Sequence, residues 1–363
     1  WNQNEENGAN YKVNIESALY DPATRKVAVR YYVSDPTNGN ARYNLVTPDC
    51  TFPTPNVCTP PSGTNNTLFG NLRFYVAYEN MVGQPTAVTE FSAYNNGGRD
   101  ATALLYRGTN DGSNTYTIDI ALPPDSATAI AKGTARIVGI GQVREPQLVV
   151  AWPTDPRPQV SPTTYVNVVV QHTYKDFVIS GAFNPRRDIV SNDKCNVCHG
   201  ALGTTSGSNT LANAFHNGAR NTVEACVLCH DQNRYSSTVM TNGLALSENY
   251  SFKRMIHGIH GNSRRQHPFT HGNNVIGAFD RSTFLLTMDG LIASSTNPAP
   301  VGTLFQPYST GAVVPAGTLL GTTGSSVENY AAEVAYPSIG LNCNGCHVNN
   351  SWQQDLGPLG SVV

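Results

Sequence analysis

The chain has 363 residues and a mass of 39.0 kDa, enough for two ordinary domains. Charged residues are 13% of the total and the net charge is -2, from Lys+Arg 23 against Asp+Glu 25, which excludes the cationic surface that nucleic acid demands. Hydrophobic residues make up 39% and no run approaches the roughly 18 apolar residues of a membrane span, so no transmembrane segment is expected. The polarity comes from Asn, Ser, Thr, Gly 32 and Pro 23, a composition typical of secreted and surface proteins. The first residue is Trp1 rather than Met, and the expectation is a mature chain whose signal peptide has been removed. No Cys stands at the start to suggest a lipid anchor.

The first 180 or so residues read as strands. Tyr11 to Tyr20, the turn Asp21-Pro22-Ala23-Thr24 and Lys26 to Val33 predict a hairpin, with alternation in Val27, Val29, Tyr31 and Val33. Further strands are expected at Leu72 to Tyr78, Thr86 to Tyr94, Ala103 to Tyr106, Tyr116 to Leu122, Thr134 to Ile140, Gln147 to Trp152 and Tyr165 to His172. Short strands between Asn, Asp, Gly and Pro turns suggest an antiparallel β-sandwich or split barrel of about eight strands over 1–185. Cys50 and Cys58 bracket a short segment with no His nearby, and a disulfide-closed loop formed in an oxidising compartment is expected there; two free thiols are the alternative.

The pattern changes around Pro185-Arg186-Arg187-Asp188, where a mostly irregular, partly helical domain is expected over 186–363. The remaining six cysteines form three pairs with two intervening residues, each followed at once by His: Cys195, Cys198, His199; Cys226, Cys229, His230; Cys343, Cys346, His347. This is the attachment pattern of c-type haem. Residues three apart share one side of a helical turn, so two thiols can reach the two vinyl groups of one porphyrin edge, and the adjacent His supplies the proximal nitrogen to iron. Zinc knuckles or a thioredoxin-like redox pair would use the same Cys spacing, but three consecutive His suffixes argue against both. Three covalently attached haem c groups are expected.

Six His remain: His172, His216, His257, His260, His267 and His271. If each iron takes a second His, the haems are six-coordinate and pass electrons without binding substrate. His216, between the first two attachment sites, is a candidate distal ligand. The segment from Ser251, a candidate N-cap, to Gly261, a stop signal, predicts a short helix. It places His257 and His260 on one face, so as ligands they serve two different haems. His267 and His271 are secondary candidates, and His172, in a strand-like run, reads as structural or surface. Arg220, Arg254, Arg264 and Arg265 are candidate partners for haem propionates, with a solvated face as the equal alternative. The stretch 280–335 is long, poor in charge and rich in Gly, Ser, Thr and Pro; loops of this length are often functional or interfacial.

From Asp188 to His347 the residues resemble the outer-surface multihaem c-type cytochromes of metal-reducing bacteria, the OmcA/MtrC family. The resemblance rests on an ordered set: Cys195 to His199 followed by Gly200, Phe215-His216-Asn217-Gly218-Ala219-Arg220, Cys226 to His230, Met255-Ile256-His257-Gly258-Ile259-His260, Val334 to Pro337, and Asn342 to His347. It implies that His216, His257 and His260 supply distal ligands, and that a β-rich domain precedes a haem domain. Members carry more haems in two such halves, whereas this chain has one β domain and three attachment sites. The expected function is therefore that of a reduced relative. It is a secreted or outer cell-surface trihaem cytochrome passing electrons to an extracellular acceptor such as a metal oxide, to other multihaem cytochromes, or to copies of itself in a filament. It is expected to be an electron-transfer protein and not an enzyme. The rivals are a multihaem reductase with one open iron site, which carbon monoxide binding would reveal, and a structural or adhesive surface module, which microscopy of native material would reveal.

Overall fold

The computed structural model describes residues 7–45, 68–81, 101–125, 129–150, 158–199, 202, 215–230, 240–241, 244–245, 252–260, 270–271, 278–280, 285–287, 328–329 and 342–353. The expected strand at 86–94 and the Cys50–Cys58 loop lie outside the described residues. Among those described, strands predominate over helices. Packing divides the chain into two compact units, one of 1–95, 99–229 and 343–355, the other of 96–98, 230–342 and 356–363.

The first unit is built on antiparallel sheets. Its elements in chain order are β1 (Lys12–Asp21), β2 (Lys26–Asp35), β3 (Ala41–Arg42), β4 (Arg73–Met81), β5 (Ala101–Leu104), β6 (Thr109–Asn110), β7 (Tyr116–Ala121), β8 (Ala129–Ile140), β9 (Gln142–Val150), β10 (Pro158–Val169) and β11 (Thr173–Val178). One sheet runs β1-β2-β7-β6 with β3 on β2, a second runs β11-β8-β4-β5, and β9 pairs with β10. The expected hairpin forms with Asp21 opposite Lys26. The Asp21 carboxylate accepts from Ala23 N–H at 2.9 Å and Thr24 Oγ1 at 2.7 Å, which fixes the turn.

Alternation along β2 turns Val27, Val29, Tyr31 and Val33 to a core that also holds Phe74, Val76, Ile137, Tyr116 and Phe177 from β4, β8, β7 and β11. Tyr31 packs edge-on against Phe74 at 4.8 Å and stacks with Tyr116 at 5.9 Å, and its hydroxyl donates to Leu105 C=O. Buried aromatic pairs of this geometry add to the apolar burial itself.

Several strands differ from expectation, among them β8, which begins at Ala129 rather than Thr134, and β5, which is Ala101–Leu104 rather than Ala103 to Tyr106. The segment expected at Gln147 to Trp152 is described as β9, beginning at Gln142, and β10 begins at Pro158 rather than Tyr165. Beyond His172 the chain enters an unexpected strand, β11, paired with β8. Lys175 and Asp176 hide its pattern. Asp176 is tolerated because Arg136 of β8 donates to both its oxygens, at 2.7 and 2.9 Å, and Arg136 also lies 4.1 Å over the Tyr174 ring.

Helix α1 (Asn192–His199) and helix α2 (Val223–Cys229) follow in the same unit. The second unit contains helix α3 (Phe252–His260) and short antiparallel pairings that join Met240–Thr241 to Leu244–Ala245, Ala278–Asp280 to Leu285–Thr287, and Thr270–His271 to Glu328–Asn329. Two of these strands fall within the expected 280–335 loop; most of that loop lies outside the described residues.

Candidate functional site

The cysteines of the first two Cys-x-x-Cys-His motifs, the candidate attachment segments, lie on helices. Ser191 starts α1, its Oγ accepting from Asp193 N–H at 3.2 Å and its C=O from Cys195 N–H at 3.2 Å. Cys195, Cys198 and His199 occupy the last turns. Cys226 and Cys229 sit likewise on α2, followed by His230, the first residue of the second unit's main segment. The third motif makes a 3-10 turn, with Cys346 N–H reaching Cys343 C=O at 3.2 Å and His347 N–H sharing that carbonyl at 2.9 Å. None of these six cysteines is disulfide-bonded.

Contacts far apart in sequence bring the three attachment segments together. The third docks on the residues leading into α1. Ser191 N–H donates to Cys346 C=O at 3.2 Å, Val348 N–H to Ile189 C=O at 3.1 Å, and Lys194 Nζ to Asn344 C=O at 2.6 Å. The second is held by one side chain, since Asn192 Oδ1 caps Val223 N–H at 2.8 Å while its Nδ2 donates to Glu224 at 2.8 Å. Asn192 is thus a helical residue of α1 and the N-terminal cap of α2.

Cys195 and Cys346 influence each other's ionisation: the pairing and burial raise the Cys195 thiol, while the pairing, with the Lys194 ammonium assisting, lowers that of Cys346. Burial pushes the Cys226 thiol up to about 12.

The imidazoles are oriented by their neighbours. His347 Nδ1 meets Ser351 Oγ at 3.4 Å, and Ser351 Oγ donates to Ile189 C=O at 2.6 Å. Ser351 can therefore accept from Nδ1–H, the arrangement that leaves the lone pair of a neutral His347 on Nε2. Burial lowers the basicity of His347, the Ile189 C=O opposes it and the Lys194 charge adds to it. On α3, His260 Nδ1 donates to Ile256 C=O at 2.9 Å, one turn back, which likewise makes Nε2 the lone-pair nitrogen. His257 lies on the same helix and is exposed. The helix begins against the second motif's His, because Phe252 N–H donates to His230 C=O at 2.7 Å. His216 sits in a 3-10 turn, exposed, with φ +50°. This left-handed conformation is uncommon for His and is a feature that clusters at functional sites. His271 lies on a short strand and His267 outside the described residues.

His172 is structural. It is buried between β10 and β11, with Nδ1 accepting from Asn221 N–H at 3.4 Å and Nε2 against Gly141 C=O at 3.3 Å. Gly141 has φ +125°, and a Cβ there would meet Asn71 O at 2.3 Å, so the turn needs glycine.

These segments fit porphyrin on an observation independent of the motif. Helix α1 is eight residues long and buries none of them, and Val197, between its two cysteines, is 84% exposed. So short a helix is not stable on its own in water, and an apolar plate bonded at Cys195 and Cys198 would supply the missing contacts. Trp352, beside the third motif, is 44% exposed. Sequence reasoning missed Asn192, Ile189 and Ser351, which tie the segments together. Ser351 follows His347 by four residues, and that spacing was the one available signal.

Residues 187–362 match the family model described as outer membrane cytochrome MtrC/MtrF-like, domains II/IV, which covers the stretch that carries the sequence resemblance. No curated protein matches the chain. Among solved structures, the crystal structure of MtrC from Shewanella baltica OS185 aligns at 16% identity, covering 69% of this chain and 33% of that one, with a TM-score of 0.36. The chain spans about a third of the length of that protein. No helix among the described residues is long and apolar enough to cross a membrane.

Proposed function

We propose that this chain is an outer cell-surface c-type cytochrome whose role is electron transfer. It carries three haems on Cys195/Cys198, Cys226/Cys229 and Cys343/Cys346, with His199, His230 and His347 as proximal and His216, His257 and His260 as distal ligands. In this reading a β-sandwich over 1–185 supports a haem domain over 186–363, and electrons leave to an extracellular acceptor such as a metal oxide, to another multihaem cytochrome, or to a neighbouring copy. The observation that carries the reading is the meeting of the three attachment segments at Ile189 to Cys195, where Asn192 holds the second and Ile189, Ser191 and Lys194 hold the third.

When bound, haem supplies reversible one-electron chemistry at iron, its potential set by axial ligands, hydrogen bonding and burial. The chain's own residues do the rest. The thiols fix each ring at two points, and Ser351 and Ile256 hold His347 and His260 in the tautomer that offers Nε2. Backbone clasps over residues 189–195 keep the attachment points close. Close spacing matters because transfer requires neighbouring cofactors, while six-coordination leaves no iron position for substrate.

The test is material matured in a host competent for c-type cytochromes. Intact mass is expected to exceed the bare chain by three haems, a pyridine haemochrome assay to return three per chain, and the reduced protein to leave carbon monoxide unbound. A colourless assay with the bare peptide mass would overturn the reading. Carbon monoxide binding at one haem would replace transport by a reductase with an open iron site.

A further inference from the structure

The segment joining His216 to α2 is clamped on both sides of one arginine. Ala219 C=O accepts from Gly141 N–H at 3.2 Å. Asn221 donates through Nδ2 to Val170 C=O at 3.0 Å and through its backbone N–H to His172 Nδ1 at 3.4 Å. Arg220, between them, has little freedom to swing away. Its Nη2 donates to the hydroxyl of Tyr75 on β4 at 3.2 Å, and its guanidinium carbon lies 5.6 Å from the Tyr75 ring centroid. Tyr75 is itself buried.

One face of this guanidinium is unsatisfied. Nε is buried and has no hydrogen-bond partner among the described residues, and none of their carboxylates pairs with the side chain. Arg25 also has a buried Nε without a partner, but its Nη atoms pair with Asp125, and Arg136 is paired with Asp176, so among these it is Arg220 whose charge meets no carboxylate of the described residues. A buried donor left unmade is costly, more so on a charged group, and the partner that best suits a guanidinium edge is an anion with planar, two-oxygen geometry. The helix carrying Cys226 and Cys229 begins three residues on.

We infer that Arg220 anchors, through Nε, a propionate carboxylate of the porphyrin attached at Cys226 and Cys229, and that Tyr75 is the positioning residue that aims it. The inference rests on the haem reading above and assigns a residue of the β-sheet to the setting of one haem's potential. A cation on the propionate stabilises its ionised form and, less strongly, the reduced haem. Removing it raises the propionate pKa by roughly one unit or more and makes reduction less favourable.

The test compares the holoprotein with Arg220→Gln, Arg220→Lys and Tyr75→Phe by haem count, resonance Raman bands of propionate bending, and the pH dependence of the midpoint potentials. With three haems retained, Arg220→Gln is expected to move one haem's potential negative, to displace the inflection of its pH profile upward, and to shift one propionate band. Arg220→Lys keeps the charge and loses the fork, and is expected to fall between. Tyr75→Phe is expected to give a smaller shift of the same sign. Three haems with unchanged bands and profile in Arg220→Gln would overturn the inference while leaving the cytochrome reading intact; a wild type without haem would overturn both. Should Arg220→Gln fail to mature, Tyr75→Phe decides by the same two outcomes.

Discussion

Strand β2 fully buries Val27, Val29 and Tyr31, whereas helix α1, of similar length, buries none of its eight residues. The same unit thus contains a region that pays its conformational entropy with apolar burial and a region whose described order rests on backbone clasps and one shared side-chain cap. Helix α2 stands between them, with Val223, Ala225, Val227 and Leu228 buried. In the haem reading proposed above, the difference teaches where a cofactor would act as core. A ring bonded at Cys195 and Cys198 has most to contribute to α1 and little to the sheets.

Removing that ring is the strongest way to break the contrast. The double variant Cys195→Ala, Cys198→Ala is expected to lose one haem of three, read by intact mass, and to lose amide protection across α1 while β2 and β8 keep theirs. Hydrogen exchange showing α1 as well protected as β2 in this variant would mean that the helix stands without the cofactor.

In the sheets the largest effect expected from a single polar change is at Asp176. Asp176→Asn leaves the Arg136 guanidinium, whose side chain is 3% exposed, as an uncompensated buried charge. Breaking such a pair from one side costs about 3–5 kcal/mol. Denaturant unfolding followed at the sheet signal is expected to show that loss with the haem count unchanged at three. A cost under about 1 kcal/mol would place the pair with ordinary surface ion pairs.

The sequence displayed the parts governed by local spacing. The alternation of Val27, Val29, Tyr31 and Val33 appears in the structure as a buried face, the Cys pairs fall on helical turns, and the helix expected up to Gly261 is described as Phe252–His260. What depends on distant partners was hidden. Strand β11 looks too polar to be a strand until Arg136, 40 residues earlier, is placed beside Asp176. Lys194 and Asn344 are 150 residues apart, and nothing in either segment announces that the third attachment motif docks beside the first. His172 could be read as structural or as surface because its burial is created by Gly141 and Asn221.

That buried imidazole predicts a pH response confined to the sheet side of the comparison. Burial lowers the His172 pKa from 6.5 to about 4, with Arg220 adding to the effect and Gly141 opposing it. The unfolded chain takes up the proton first as pH falls. The contribution of His172 is therefore whole above pH about 6.5 and is lost as pH drops toward and through about 4. The gap corresponds to on the order of 3 kcal/mol at full loss. His172→Gln is expected to lower stability at pH 7 by an amide-sized packing defect and to flatten this part of the profile. A variant retaining the same steep decline would assign the acid sensitivity to other groups.

The smallest effect sharpens the boundary between the two regions. Asn192 belongs to α1, which has no buried residue, yet caps α2, which buries four. Asn192→Ala removes the acceptor of Val223 N–H and the donor to Glu224, and loss of such a cap costs about 1 kcal/mol. If the attachment segments are coupled through this side chain, the loss appears as earlier exchange at both helices, not at α1 alone. Glu224→Gln keeps a hydrogen-bond acceptor for Asn192 and should cost less, and the double variant should cost less than the sum of the singles, since both act on one contact. Strict additivity would show that Asn192 steadies each helix separately, and that the cluster around Ile189 to Cys195 is held by its backbone clasps alone.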